Sequence, residues 1–583
     1  MDMFVVLSAA ALLAALALSM DSNEDSGLVG HWKLRGDCGD HSGKGNHGIN
    51  HGVVLTEDAP AEFDGRGGYV EVPNSESLQL GTGDFSIAAW VKCSDKGLGV
   101  TGDILSKYDP DLRRGVNFHV SASAPGYSSI SDVRNVRFGI DNAIDGAWED
   151  CGRPWPSNPL VGTLIAYKGH LYTGIADAAD EKDACRVFRY AGGKEWVDCG
   201  RVGDEPNTRS IMAAIIHKGD LYVGTGTYSY WGKGTAGRVH VYRYEGGTNW
   251  HDCGRVGEGH RVLSLASFRG VLYASDDAAD VYRYDGDNEW TFCGSTPSRR
   301  FHFSSLMVYR GDLYGGASTT IDRYRGDGTW ETVGQFDPAS IDQVHTMGVY
   351  GGKLYAGTWS DGKLIRFDGD MDWADCGDLG VSDTCIRNEK QTRNNEINEL
   401  TVYNGKMYAG VIPKAQVWRY EGGKRSTLIA QLVDNPDYSP DSISSWNRVP
   451  CLTIFQGRLY AGTSNCTGMA AEVYPKAEIG KVLSWEAGKS VSYDDDLGLG
   501  WKHLVAVREH RQLKLYINGE LAAVSSEFDP SLFDLSNNKP LLIGFGAENY
   551  FNGEIRDLRL YNRAVSGPEA ARLCLNGTSD ARS

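Results

Sequence analysis

The sequence predicts an all-β chain in which a closed, seven-bladed β-propeller interrupts a second β domain, and three observations carry that prediction. The phrase Leu-Tyr-x-Gly, or a close variant, occurs seven times, with its tyrosine at Tyr172, Tyr222, Tyr273, Tyr314, Tyr355, Tyr408 and Tyr460, 41 to 53 residues apart. A period of that size belongs to a repeat array and not to one ordinary core. Most of these units also carry a Trp-x-x-x-Gly phrase, and the stretches on either side alternate apolar and polar residues without any helical periodicity.

Each unit reads as four strands. A first strand such as Ser305 to Tyr309 turns at Arg-Gly into a second, Asp312 to Ala317. A third carries Arg-Tyr or Arg-Phe, at Arg189-Tyr190, Arg243-Tyr244, Arg283-Tyr284, Arg323-Tyr324, Arg366-Phe367 and Arg419-Tyr420. The fourth starts at Trp196, Trp250, Trp290, Trp330 and Trp373. Four short antiparallel strands per unit, marked by aromatics and glycines, are the pattern of a propeller blade. The last unit has a worn third strand at Val473-Tyr474-Pro475 and no Trp-Asp-Cys-Gly after it. That phrase stands instead at Trp148-Glu-Asp-Cys151-Gly152, so residues 147–152 are expected to supply the outer strand of the last blade and leave no open edge. Ser484-Trp485 is the competing outer strand. The units resemble kelch-type repeats over the central 330 residues or so.

With 583 residues the chain is too long for one core. A formal net charge of −18 argues against nucleic acid as partner. No Gly-Lys-Ser/Thr loop points to a nucleotide, and His-Glu-x-x-His and Gly-x-Ser-x-Gly are missing too. The apolar run Phe4 to Leu18, followed by Ser19 and polar residues, reads as a signal peptide within residues 1–20 and is short for a membrane span. Met-Asp-Met brings no basic residue, so an uncleaved anchor or a start at Met20 stays open. Export implies a secreted, periplasmic or cell-surface protein. Of the twelve cysteines, Cys151, Cys199, Cys253, Cys293 and Cys376 hold one repeat position, too far apart to bridge, and are expected to be small core residues. Cys451 and Cys466 form the better disulfide candidate. Asn465-Cys-Thr and Asn576-Gly-Thr are glycosylation sequons.

The flanks are residues 27–144 and 479–577, with the propeller at 145–478 and a tail at 578–583. The first flank contains Gly30-His-Trp32, Asp40-His-Ser-Gly-Lys-Gly-Asn46-His-Gly48, Phe63-Asp64-Gly65 and Asp84-Phe-Ser-Ile-Ala-Ala-Trp90. The second contains Trp501-Lys-His-Leu, the hairpin turn Asn518-Gly519 and Phe551-Asn-Gly-Glu-Ile-Arg-Asp557-Leu-Arg-Leu-Tyr561-Asn-Arg. Neither has enough strands for a sandwich. Together, in order, they resemble a laminin-G-like domain of the concanavalin A-like jelly-roll class, split by the propeller. The resemblance implies binding of glycans or protein surfaces and a structural Ca²⁺, for which Asp40, Asn46 and Asp557 would be the oxygen donors. Asp40 and Asn46 equally suit a Gly-rich turn.

Loops before each first strand and between second and third strands should share one face. Counting back from each turn glycine places Arg209, His260, Arg261, Arg299, Arg300, His302, Gln343, Asn395, Glu396, Asn447 and Arg448 there, with His345 slightly nearer. The other loop set adds Tyr228, Tyr230, Trp231 and Trp359. Guanidinium forks and flat rings around a funnel suit a carbohydrate bearing carboxylate or sulfate, or a glycoprotein. The rival readings are a glycan-processing enzyme and a protein-binding scaffold. Asp327-Gly-Thr-Trp330 resembles the Asp-box turn of sialidases, but the Phe-Arg-Ile-Pro phrase of those enzymes is missing. Asp342 and Glu396 are the carboxylates near the face.

Overall fold

The computed structural model describes residues 25–94, 102–122, 129–156, 158, 160–176, 183–204, 208–227, 239–295, 305–387, 390–442, 445–465 and 479–579. The chain is all-β, with one α-helix, Gly567–Ser579, among the described residues.

The repeats fold as four-stranded antiparallel groups. Leu160–Tyr167, His170–Ala176, Arg186–Gly192 and Glu195–Arg201 set the pattern. It recurs in groups that begin at Ser210, Val262, Ser305, Ile341 and Asn395. In register, the repeat tyrosine faces the third-strand arginine, as in Tyr172↔Arg189 and Tyr222↔Arg243. The last group takes Asn447–Phe455, Arg458–Asn465 and Val482–Trp485, and its outermost strand is Glu149–Asp150, paired through Glu149↔Ser484 and Asp150↔Leu483. Ser484-Trp485 is therefore the third strand and not the outer one. Ser484 faces Tyr460 where other groups have arginine, and Trp485 stands in the tyrosine's place. Val473-Tyr474-Pro475 lies outside the described residues.

Two contacts repeat around the array and explain the motif. The motif glycine is needed because a first-strand Val or Ile of the next group lies against it: a Cβ would come within 2.5 Å of Ile211 at Gly174, of Val262 at Gly224 and of Ile397 at Gly357. The same contact joins last group to first, where a Cβ on Gly462 would lie 2.5 Å from Val161. On the outside, each fourth-strand tryptophan donates its indole N–H to the preceding group: Trp196 to Cys151 O at 2.9 Å, Trp250 to Cys199 O at 2.9 Å, Trp290 to Cys253 O at 2.8 Å and Trp330 to Cys293 O at 2.9 Å. The repeat cysteines are buried, unbridged thiols in this seam. Cys451 is likewise a buried thiol, set against Val161 O, while Cys466 is outside the described residues.

At the join, Trp148 stacks on Trp485 with centroids 5.6 Å apart. Asp150 accepts from both Lys194 and Lys481 at 3.0 Å. Against the burial that raises it, the Gly152 N–H and these lysines bring Asp150 to about 2.

The flanks fold together into a jelly-roll-type sandwich. One sheet runs Val54–Thr56, Ala59–Asp64, Asn552–Tyr561, Phe85–Cys93, Gly500–Glu509, Gln512–Ile517, Glu520–Val524. The other runs Ile49–His51, Tyr69–Val72, Leu541–Ile543, Gly102–Asp109, Arg114–Ser121, Asn135–Asp145, Ala487–Tyr493. Strands from both flanks alternate in both sheets, around a core that includes Trp32, Phe63, Phe85, Phe118, Phe138 and Phe551.

The outer face of the second sheet carries the propeller. First-to-second strand turns press on it: a Cβ on Gly457 would lie 2.2 Å from Ser490 O, one on Gly405 2.6 Å from the Tyr108 ring. Asn404 donates to Ile140 O and Ala487 O, at 2.9 and 2.8 Å, and Gln456 N–H to Asp494 at 2.7 Å. Arg113 holds Asp141 at 3.0 Å and Asp145 at 2.7 Å, and Arg419 of the propeller reaches Asp145 at 3.4 Å.

Candidate ligand site at the open mouth of the propeller

Because those turns face the jelly roll, the ends at which the first strands begin and the second strands finish point to the opposite face. Six of the seven innermost strands enter that face through a β-bulge, between Val161 and Thr163, Ile211 and Ala213, Val262 and Ser264, Val344 and Thr346, Ile397 and Glu399, and Arg448 and Cys451, whereas the described part of the strand Ser305–Tyr309 pairs in unbroken register. Bulges re-aim side chains at functional rims. The pairing register places both apolar and polar residues at the mouth end of these strands. Leu160 and Met212 pack with Ala176 into an apolar cluster. Gln343 with His345, Glu396 with Asn398, and Arg448 form a polar arc on three other groups.

Within that arc, His345 Nε2 lies 3.1 Å from Glu396 Oε1, and Asn398 Nδ2 donates to the same oxygen. Both partners of the first contact are about nine-tenths buried, with 10% of each side chain exposed. Such burial strengthens the contact between a carboxylate and an imidazole. Arg448, 8% exposed, stands on the adjoining strand. Across the mouth, His260 and Arg261 are drawn to one carboxylate: His260 N–H donates to Asp277 Oδ1 at 2.6 Å and Arg261 Nε lies 3.5 Å from Oδ2. The neighbouring Asp276 accepts the N–H groups of Gly259, Ala278 and Asp280, and burial pushes it up to about 7.

Several expected residues face elsewhere. Asn395 is fully buried and braces the preceding loop, accepting from Val381 N at 3.0 Å and donating to Val381 O at 2.9 Å. Asn447 is fully buried too, its backbone bonded to Pro413 O and Ala415 N. Trp359 packs beside Ile412 and Trp446, behind the rim. Arg209 is half-buried and uses its N–H on Gly226 O. Tyr228, Tyr230, Trp231, Arg299, Arg300 and His302 lie outside the described residues. Asn398 and the apolar arc were not anticipated; the signal is the bulge register, which shifts the facing by one residue.

The three oxygen donors of the jelly roll do not make a shared cage. Asp40 accepts from His31 N, Ser42 N, Ser42 Oγ and Asn46 N at 2.8 to 2.9 Å, shaping its own turn. Asn46 is spent on Val29 O, Ser75 and Ser77. Asp557 binds His31 Nε2 at 2.7 Å and Arg559 Nε at 3.0 Å, which against its burial bring it to about 2. The Arg559 guanidinium and the His31 ring already occupy this carboxylate, and Asp40 and Asn46 are spent on their own turn, so this set does not suit Ca²⁺.

A family model described as the concanavalin A-like lectin/glucanases superfamily matches residues 439–571. Its span covers most of the second flank and reaches back into the last propeller group. No curated protein matches the chain. Among solved structures, the extracellular domain of a one component system protein of B. thetaiotaomicron is 13% identical with a TM-score of 0.41, over 63% of this chain and 45% of that one. The chain thus spans under half the length of that protein. The WD40 β-propeller domain of Doa1 is 10% identical with a TM-score of 0.38, over 59% of this chain and 97% of that one. A Trypanosoma rangeli sialidase bound to the inhibitor DANA is 12% identical with a TM-score of 0.28, over 76% and 95%.

Proposed function

We propose that the chain is a seven-bladed propeller set into a laminin-G-like jelly roll and that it acts outside the cell as a carbohydrate-recognition protein, binding a glycan or glycoprotein at the propeller mouth. One observation carries this reading: His345, Glu396, Asn398 and Arg448 gather in one polar arc at the mouth end of three neighbouring innermost strands. A sugar offers hydroxyls that suit such an arc. Arg448 suits a sugar that carries a carboxylate or sulfate. Among the described residues no helix is long and apolar enough to cross a membrane.

The test is a glycan array probed with the intact chain, Arg448→Ala and Glu396→Gln. Capture of a glycan family that falls about tenfold or more in both variants is expected, the loss of one charged hydrogen bond being worth about 1.5–3 kcal/mol. Capture equal in all three proteins would reject the mouth. The His345–Glu396 contact also supports a second reading, glycan processing with this pair moving a proton, and release of reducing sugar from a captured glycan, abolished in Glu396→Gln, would establish it.

A further inference from the structure

We infer that the mouth reads the end of a glycan chain and not a stretch within it, because the jelly roll stops the propeller channel at its other end; this rests on the carbohydrate reading of the mouth. An innermost propeller strand has one edge turned to the axis, and on two adjacent groups that edge is already taken. Ser129 to Asp132, which connect two strands of the jelly roll, run along it. Ile130 N–H donates to Leu265 O at 3.1 Å, and Ser267 N–H to Ile130 O at 2.9 Å. Asp132 N–H donates to Ile216 O at 3.1 Å. The Oγ of Ser129 and of Ser131 accept from Leu265 N at 3.2 Å and Ile216 N at 3.0 Å.

On the other side of the channel Met307, Val349, Leu400, Val402, Leu452 and Ile454 close towards Ile130 and Ala122, with Arg137 and Glu548 of the jelly roll beneath. The hollow left between them measures about 40 Å³. A water needs about 10–15 Å³ of such space and a benzene-sized ring about 150 Å³, so the hollow has room for water and excludes a sugar ring. From Arg448 at the mouth to Ile454 at this floor is six residues of strand, roughly 20 Å at 3.3 Å per residue. The channel is therefore a blind pit with an apolar, hydrogen-bonded stopper. A chain that enters it cannot leave on the far side, so only a terminus can descend past the polar arc into the pit. A terminal sugar also offers a hydroxyl that an internal one has lost to its linkage, and Glu396, His345 and Arg448 are the groups placed to read it.

The experiment prints linear oligosaccharides tethered through the reducing end and, separately, through the non-reducing end, beside cyclodextrins and cyclic β-glucans, which have no ends. Intact chain and Arg448→Ala are compared. The expected result is Arg448-dependent capture from one tether orientation alone, with cyclic probes bound about tenfold or more weakly. Arg448-dependent capture that is equal for both orientations, or for cyclic and linear probes of one linkage, overturns terminal recognition and leaves the mouth as a glycan site. Absence of any Arg448-dependent capture overturns both readings.

Discussion

Replacing Gly462 by alanine tests whether the propeller closes through direct contact between its last and first groups. The new methyl would lie 2.5 Å from Val161 Cγ1, 2.7 Å from Cys451 Sγ and 2.9 Å from Val161 Cβ, where ordinary contact begins at 3.4 Å. Gly462 does not adopt a left-handed φ, so the cost is steric alone. Val161 and Cys451 are both fully buried on paired strands, and relief needs a shift of nearly 1 Å in one of the two groups. Overpacking of this kind costs about 1–3 kcal/mol. Alanine recovers about 0.5–1 kcal/mol by restricting the unfolded chain, leaving a net loss of up to about 2.5 kcal/mol. Urea unfolding followed by tryptophan fluorescence measures it, since the stacked Trp148 and Trp485 report on the same join. Gly67→Ala is the control: no heavy atom lies within 4 Å of its Cβ position and its φ is not left-handed. If the two variants unfold at the same urea concentration, the contact does not hold the array closed.

Arg113→Ala should cost about 3–5 kcal/mol in urea melts, because it strands Asp141, whose side chain is 1% exposed. Pairing it with Asp141→Asn should recover much of that loss. Asp103 titrates with a readable sign. Burial pushes it up to about 7, well above the unfolded value of about 3.9, so the folded chain holds the extra proton and stability should fall as pH rises from about 4 to 7. Asp103→Asn should flatten that slope in melts taken across the window, and an unchanged slope would mean that other groups set it. Trp250→Phe removes the indole donor to Cys199 O and should cost about 1 kcal/mol by the same urea assay, whereas Trp250→Phe without effect would show that the seam is held by packing alone.

The blades were legible because each recurring residue makes one recurring contact, with tyrosine opposite arginine, glycine under a neighbour's Val or Ile, and tryptophan on the previous carbonyl. Where different chemistry makes that contact, reading by phrase fails. Val482-Leu-Ser-Trp485 escaped because serine replaces the arginine and tryptophan the tyrosine. The mouth shows the same limit at finer scale. Counting back from the turns found the correct height on the strands, but successive residues of a strand point to opposite faces. Asn395 and Asn447 therefore turn into the blades while Glu396 and Arg448, one residue on, occupy the rim. Each bulge then adds a residue that no repeat period announces, which is how Asn398 was missed. Asp40 and Asn46 satisfy the composition of a cation loop, and only their hydrogen bonds reveal a self-contained turn.

The contact between the two folds decides which surface is left for a ligand. The chain passes from sandwich to propeller and back through neighbouring points, since Ala487 pairs with Asp145 and Gly146 N–H donates to Glu486 O at 2.8 Å. Two adjacent connections alone would permit a hinge. Here the propeller's turns, the Arg113–Asp145–Arg419 ion network and the Ser129–Asp132 stopper add contacts on widely separated sides of the axis. A hinge would have to break them together. The sandwich thus commits much of one outer sheet face, and one connecting segment, to holding and closing the propeller. What results is a fixed floor under a mouth that faces away from it, and the polar arc above that floor keeps its geometry without help from a bound ligand.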